Sequence, residues 1–200
     1  FTVNKVDVSI NVTIDPITFG EDAIISIVLP DNIKGNITVG VANKTFTKVI
    51  LQSDVNFTIS DLKIGTYDVV ISYSGDLNHL GSITNHELAV NKKVANINAS
   101  CEDIEVGEVA TVHIEVDSDA TGNITVTIDN KDYEVILKSG KANVSISDLE
   151  KGEYVYVISY SGDDYYQSAN FTSSLAVGLG HCVVSASCSD IIVGETAIIT

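Results

Sequence analysis

Apolar and polar residues alternate along most of the chain, in short runs that end at turn residues. In one run Ile124, Val126 and Ile128 point to one side, while the Asn and Thr residues between them point to the other. An alternation of this kind predicts β-strands with one buried face. No stretch shows the periodicity of an amphipathic helix. We predict seven strands in the first part of the chain, near 6–14, 22–29, 36–42, 45–51, 55–60, 66–73 and 82–90.

The pattern repeats after 87 residues without a gap, and the 87 positions from Val6 to Lys92 share 31 identities with the next 87. Gly20-Glu21 returns as Gly107-Glu108 and again as Gly194-Glu195, which indicates that a third copy begins. A period of this length is typical of a small, independently folded β-domain. We therefore predict the end of a preceding repeat at 1–5, repeats at 6–92 and 93–179, and the start of a third at 180–200.

Each repeat contains a turn segment that leads into a strand rich in aromatic residues. The two segments are Leu62-x-x-Gly65-x-Tyr67 and Leu149-x-x-Gly152-x-Tyr154. Their spacing resembles the tyrosine corner of immunoglobulin-like sandwiches, in which a tyrosine hydroxyl bonds to upstream backbone. An ordinary glycine turn is the alternative. We expect both tyrosines to be largely buried, in an all-β fold of tandem immunoglobulin-like antiparallel sandwiches with about seven strands each and no helix.

Three shared features carry a family resemblance: the Gly-Asn-Ile-Thr-Val strand, the tyrosine segment and the Tyr-Ser-Gly-Asp sequence that closes the next strand. Together they resemble the immunoglobulin-like repeats of large bacterial and archaeal surface proteins, especially the adhesin-like proteins of methanogens. The resemblance covers nearly the whole chain. It implies tandem arrays displayed outside the cell, with no catalytic residues and no cofactor of their own. Val69 and Tyr156 stand where antibody domains carry a strand cysteine.

The net charge of the chain limits the kinds of partner that it is expected to bind. The formal net charge is −16, from 27 acidic and 11 basic residues, and every basic residue is lysine. Because the surface is acidic and offers no arginine, we expect no nucleic-acid partner. No run approaches the roughly 18 apolar residues that a membrane span needs, so we expect no membrane insertion in this segment.

The sequence Asn-x-Ser/Thr occurs eight times, more often than the composition alone explains. Such triplets are acceptors for N-linked glycans in secreted proteins. Strand alternation also tends to place Asn and Thr two residues apart on the solvent face, and duplication reduces the count to five distinct positions. We predict glycosylation at Asn11, Asn36, Asn43, Asn56, Asn98, Asn123, Asn143 and Asn170.

The cysteines and histidines do not indicate a catalytic site. The three cysteines, Cys101, Cys182 and Cys188, align with apolar positions in other repeats, so we expect buried free thiols. The four histidines form no recognisable pair with a carboxylate or a nucleophile, and His113 falls on an outward strand face.

Two other kinds of site are alternatives. Acidic residues near loop ends offer the oxygen ligands that calcium prefers, at Asp76, Asp163, Asp164 and Asp117–Asp119. A Lys–Asn isopeptide crosslink is the second alternative, because Lys5, Lys44 and Asn11 all recur one period later.

The loop after the aromatic strand differs between the repeats and carries Tyr165-Tyr166 in the second one. Exposed tyrosines can anchor a partner, and packing within the protein is the alternative.

We interpret the chain as a non-catalytic stalk segment of an extracellular cell-surface protein that acts in adhesion. Its partners, a surface protein or a glycan, would bind regions outside this segment. The alternatives are a filament subunit that self-associates by strand addition, and an accessory or carbohydrate-binding module of a secreted hydrolase.

Overall fold

The computed structural model describes residues 4–180 and, beyond them, residues 182, 184–187, 190, 192–194, 196 and 198. The described residues form sixteen β-strands and no helix. The predicted all-β class is therefore confirmed for this part of the chain. Accordingly, no helix that could cross a lipid bilayer is found there.

The first repeat folds into two sheets. Its strands are β1 (Asn11–Ile14), β2 (Ile17–Thr18), β3 (Ala23–Val28), β4 (Asn36–Val41), β5 (Lys44–Val49), β6 (Asp54–Ile59), β7 (Gly65–Tyr73) and β8 (Ser82–Asn91). One sheet has the order β1-β3-β6 and the other the order β2-β8-β7-β4-β5. Neighbouring strands are antiparallel, except that β2 runs parallel to β8. This distribution of strands is that of an immunoglobulin-like sandwich.

The second repeat has the same topology. Its strands are β9 (Asn98–Ser100), β10 (Ile104–Glu105), β11 (Ala110–Glu115), β12 (Asn123–Ile128), β13 (Lys131–Ile136), β14 (Lys141–Ile146), β15 (Gly152–Tyr160) and β16 (Ala169–Gly178). The sheets have the orders β14-β11-β9 and β10-β16-β15-β12-β13. Strand β10 runs parallel to β16, as β2 does to β8.

The cores contain the apolar residues that the alternation predicts. In β3, Ile25 and Ile27 are fully buried. Val69 and Ile71 of β7, which lie on the other sheet, belong to the same core cluster. In the second repeat Tyr156 and Tyr160 are among the largest fully buried side chains. Burial of each such side chain contributes roughly 1.5–3 kcal/mol, so the inward rows hold the two sheets of a repeat together.

Among the described residues each repeat has eight strands, close to the seven that we predict, because the first predicted strand divides in two. Strand β1 joins the three-stranded sheet and β2 joins the five-stranded sheet. In the first repeat Pro16 separates them and cannot donate a backbone hydrogen bond. In the second repeat the chain passes from one sheet to the other without a proline. There the Asp103 carboxylate accepts a hydrogen bond from the backbone N–H of Ala176 over 2.8 Å.

The predicted turns fall where strands β4 and β5, and β12 and β13, reverse direction. Ala42 and Asn43 have φ of 50° and 60°, and Asp129 and Asn130 have φ of 50° and 56°. Two consecutive positive φ values define the tight hairpin turn that matches the twist of the flanking strands. Asn and Asp tolerate this conformation better than most residues do.

The backbone contacts divide the described residues into two compact units. The first unit extends to Ala95 and also includes Ser161–Ala169, and the second contains Asn96–Tyr160 and the residues from Asn170 onwards. Segment Ser161–Ala169 joins the first unit because Lys93 donates to Tyr165 and accepts from Gln167, at 2.8 and 2.9 Å. The predicted repeat boundary at residues 92 and 93 stays a prediction.

The start of a third repeat also stays a prediction. Glu195, which together with Gly194 indicates this repeat, lies outside the described residues. None of the described residues from 182 onwards lies in a strand.

Candidate functional site

The tyrosine segments form the turn that their spacing suggests. The hydroxyl of Tyr67 donates a hydrogen bond to the carbonyl oxygen of Lys63 over 2.8 Å, and Tyr154 donates to Glu150 over 3.0 Å. Both tyrosines have an intermediate exposure, between that of the core and that of the surface. Each is the third residue of its strand, close to the end of the sandwich, where solvent reaches the ring.

The two corner glycines differ in their backbone conformation. Gly65 has φ of +146°, a value that side chains rarely adopt, whereas Gly152 is not among the residues with positive φ. The left-handed residues that both turns share are Asp61 and Asp148, with φ of 59° and 61°. In both repeats an aspartate of this corner therefore has a positive φ, whereas the corner glycine has one only in the first repeat.

A second tyrosine contact recurs at the far end of the same strands. The hydroxyl of Tyr73 donates to the carbonyl oxygen of Lys34 over 2.8 Å, and Tyr160 donates to Thr121 over 2.7 Å. Both rings are buried, so their hydroxyls need partners inside the protein. The sequence has no signal for these hydrogen bonds, because donor and acceptor are 39 residues apart.

Asp76 organises the β7–β8 loop. Its carboxylate accepts hydrogen bonds from the backbone N–H groups of Lys34, Asn78 and His79 over 3.0, 2.8 and 2.8 Å, and from Nδ1 of His79 over 2.8 Å. Burial opposes ionisation here, but these hydrogen bonds prevail and hold the pKa of Asp76 well below its usual range. The carboxylate is thus occupied by donors of its own loop and of the loop before β4.

Two other acidic residues suggested for calcium, Asp163 and Asp117, also accept backbone hydrogen bonds. Asp163 accepts hydrogen bonds from the backbone N–H groups of Tyr165 and Tyr166, both over 2.8 Å, and Asp117 accepts from Asn96 over 3.0 Å. No group of three or more candidate metal ligands occurs among the described residues. Calcium binding has not been tested, and the geometry gives these carboxylates a role in shaping loops.

Tyr165 and Tyr166 do not form an exposed pair. Tyr166 is only 3% exposed, so it is not available as a partner contact. The Nζ of Lys93 lies 5.2 Å from the centre of its ring. Tyr165 is 49% exposed, and its ring stacks on Phe19 within the first unit, with centroids 4.9 Å apart. These rings therefore serve mainly for packing.

All eight acceptor asparagines are exposed. Four of them lie on the outermost strands of the three-stranded sheets, as Asn11 of β1, Asn56 of β6, Asn98 of β9 and Asn143 of β14. Three lie on five-stranded sheets, as Asn36 of β4, Asn123 of β12 and Asn170 of β16, and Asn43 lies in the β4–β5 turn. The acceptor asparagines therefore differ in their position in the sheets, and four of them lie on edge strands.

The cysteines correct another expectation. Cys182 is exposed rather than buried, and it follows the last strand of the described residues. Cys188 lies outside the described residues. Cys101 is half-buried. Burial, and then the nearby Asp103 and Glu102 carboxylates, raise its pKa, so the thiol is a weak nucleophile.

Cys101 lines an open surface groove of about 750 Å³ in the second unit. His113 lies on the same groove, and its Nδ1 is 2.9 Å from Oδ1 of Asn143. The lysines suggested for a crosslink are also engaged, since Lys5 and Lys92 donate to the carbonyl oxygens of Asp76 and Asp163.

Comparison with known proteins adds fold relatives only. No family model matches the chain, and no curated protein matches it. Fibronectin(III)-like modules of Clostridium thermocellum CbhA are 14% identical, with a TM-score of 0.38, over 88% of this chain and 100% of theirs. The structure of a 1.5-MDa bacterial ice-binding adhesin is 15% identical, with a TM-score of 0.39, over 93% of this chain and 70% of that one.

The Z1Z2 domains of titin, solved in complex with telethonin, are 10% identical, with a TM-score of 0.47, over 90% of this chain and 98% of theirs. Sandwich modules of this type occur in proteins with unrelated activities, so the likeness does not indicate a function.

Proposed function

We propose that this chain is a non-catalytic, load-bearing segment of an extracellular surface protein, of the adhesin-like type that its repeats resemble. The observation that carries the proposal is the parallel pairing of the strands near the two ends of each repeat. Ile17 and Thr18 of β2 pair with Val90 and Asn91 of β8, and β10 pairs in the same way with β16.

This pairing matters when a repeat is pulled from its ends. Tension on the segment before β2 and on the segment after β8 slides the two strands past each other. Their hydrogen bonds are then loaded together, whereas the bonds of a hairpin that opens from one end break one at a time. The contact continues beyond β2, since the backbone N–H of Phe19 donates to Asn91 over 2.8 Å. Val106 donates to Gly178 over 3.0 Å in the second repeat.

The loops support the same role. The carboxylates of Asp76 and Asp163 and the hydroxyls of Tyr73 and Tyr160 hold loop backbone rather than lining a pocket. A carbohydrate-binding module would need an exposed aromatic platform, and Tyr166 is buried while Tyr165 stacks on Phe19. Exposure of all eight acceptor asparagines fits a glycosylated protein outside the cell.

Single-molecule stretching of the 200-residue chain tests the load-bearing role. Phe19→Pro removes the N–H that bonds to Asn91, and Val106→Pro is the matched change one period later. We expect each variant to lower the unfolding force of one repeat and to leave the other repeat unchanged. If both variants kept both forces, or if the intact chain extended without force peaks, the proposal would be wrong.

Labelling of intact source cells tests the location separately. An antibody raised against the 200-residue chain should bind the cells before lysis. Binding that appears only after lysis would contradict a surface protein, whatever the stretching experiment shows.

A further inference from the structure

The edges of the three-stranded sheets are the exposed feature that needs an explanation. In the described part of the chain, strands β1 and β6 are the edges of one such sheet, and β9 and β14 are the edges of the other. An edge strand presents unpaired backbone groups to which a strand of another molecule can bind. Proteins commonly protect such edges with charge, with proline or by covering them.

The longer edge strand of each five-stranded sheet carries charged residues. Strand β5 contains Lys44 and Lys48, and β13 contains Lys131, Asp132 and Glu134. Two edges of the three-stranded sheets lack this protection. Strand β1 reads Asn-Val-Thr-Ile and β9 reads Asn-Ala-Ser, with no charged residue in either.

Each edge strand of the three-stranded sheets carries one glycan acceptor triplet, and β6 and β14 also carry one charged residue each, Asp54 and Lys141. The asparagine and the hydroxyl residue two positions later are both exposed in every case, so they share the outward face. Strand β9 is itself such a triplet. The four pairs are Asn11 with Thr13, Asn56 with Thr58, Asn98 with Ser100, and Asn143 with Ser145.

The side chain of Asn143 is oriented for this modification. Its Oδ1 lies 2.9 Å from Nδ1 of His113 on the neighbouring strand β11. This contact uses Oδ1 and does not involve the amide nitrogen Nδ2. Nδ2 is the atom that bonds to the sugar.

We propose that Asn11, Asn56, Asn98 and Asn143 carry N-linked glycans that prevent edge-to-edge pairing of these sheets. In the reaction, Nδ2 loses a proton and bonds to the anomeric carbon of a diphosphate-activated oligosaccharide. The bond from that carbon to the diphosphate oxygen breaks, and a separate transferase supplies the catalysis. The proposal rests on the extracellular setting proposed above.

The two repeats depend on the glycan to different degrees. The Nζ of Lys48 donates to the carbonyl oxygen of Asn56 over 2.5 Å, and so covers part of the edge of β6. The equivalent residue near β14 is Val135, which has no group to donate. Loss of the glycan at Asn143 should therefore promote association more than loss at Asn56.

Glycopeptide mass spectrometry of native material, followed by light scattering of variants, tests the proposal. One variant replaces the four edge asparagines by glutamine, and a second replaces Thr13, Thr58, Ser100 and Ser145 by alanine while keeping the asparagines. The control replaces Asn36, Asn123 and Asn170 by glutamine. All are produced in a host that attaches N-glycans, and circular dichroism checks that each is folded.

We expect sugar on the four edge sites. Both edge variants should rise in average mass from monomer to dimer or larger, and the control should stay monomeric. An absence of sugar at the edge sites of native material would overturn the proposal. Edge variants that stay monomeric would overturn it too. Association of the glutamine variant alone would also overturn it, since the replacement of the asparagine side chains, and not the loss of the glycans, would then cause the association. Unfolding forces and surface labelling do not depend on these outcomes, so the proposed function is judged independently.

Discussion

The hydroxyl of Tyr73 donates a hydrogen bond over 2.8 Å to the carbonyl oxygen of Lys34, a residue that precedes it by 39 positions. The contact joins the end of β7 to the loop before β4, and Tyr160 makes the equivalent contact with Thr121. Because the ring of Tyr73 is only 3% exposed, the carbonyl of Lys34 would be hard to satisfy without it. This hydrogen bond fixes one end of the sandwich in each repeat.

The first prediction concerns alkaline pH. Burial, together with the neighbouring Asp76 carboxylate, raises the pKa of Tyr73 from 10.0 to about 12. Between these values the unfolded chain has lost the Tyr73 proton while the folded chain keeps it. The free energy of unfolding must therefore fall as pH rises from about 10 to about 12. Denaturant titrations of the wild type and of Tyr73→Phe across this range should show a smaller pH slope in the variant. Equal slopes would contradict the shifted pKa.

The second prediction ranks the two kinds of tyrosine hydrogen bond. Tyr67→Phe and Tyr154→Phe should each lower the free energy of unfolding by about 1 kcal/mol, the usual net value of one hydrogen bond. Tyr73→Phe should cost more, about 1–2 kcal/mol, because it leaves an acceptor in a buried environment. Urea denaturation at neutral pH measures all three changes. Unchanged midpoints in both Tyr67→Phe and Tyr154→Phe would remove the tyrosine-corner interpretation.

Spacing along the chain explains why the sequence predicted one tyrosine contact and not the other. The corner hydrogen bonds join residues four positions apart, so a local motif reports them. The contact of Tyr73 with Lys34 depends on how β4 and β7 pair, which a single sequence does not specify. The alternation likewise predicted that the acceptor asparagines face outward. Which of them lie on edge strands became visible only with the order of the sheets.

The division of the first strand was missed for a related reason. Both halves, β1 and β2, have partly buried residues, and the hydrophobic pattern is the same whichever sheet a strand joins. Pro16 was the one local signal of a break, and the second repeat has no proline at the equivalent position.

The third prediction compares the two corner glycines. Gly65→Ala places a side chain at φ of +146° and should destabilise the first repeat. Gly152→Ala is compatible with its backbone, and the added Cβ would lie 3.6 Å from the ring of Tyr154, an ordinary contact. It should leave stability unchanged or raise it by about 0.4–1 kcal/mol, because alanine restricts the unfolded chain. Thermal unfolding of both variants measures these changes. Equal losses of stability would show that both turns need glycine.

The last prediction concerns a buried hydroxyl at the start of β8. Oγ of Ser82 is buried and has no hydrogen-bond partner among the described residues, and the second repeat has Ala169 at the equivalent position. A buried hydroxyl without a partner costs about 1–3 kcal/mol, so Ser82→Ala should raise the free energy of unfolding by about 1 kcal/mol. Ala169→Ser, the reciprocal change, should lower it. Differential scanning calorimetry of the three proteins makes the comparison. If Ser82→Ala lost stability instead, the hydroxyl must have a partner in solution, such as an ordered water molecule bound at the end of the sheet.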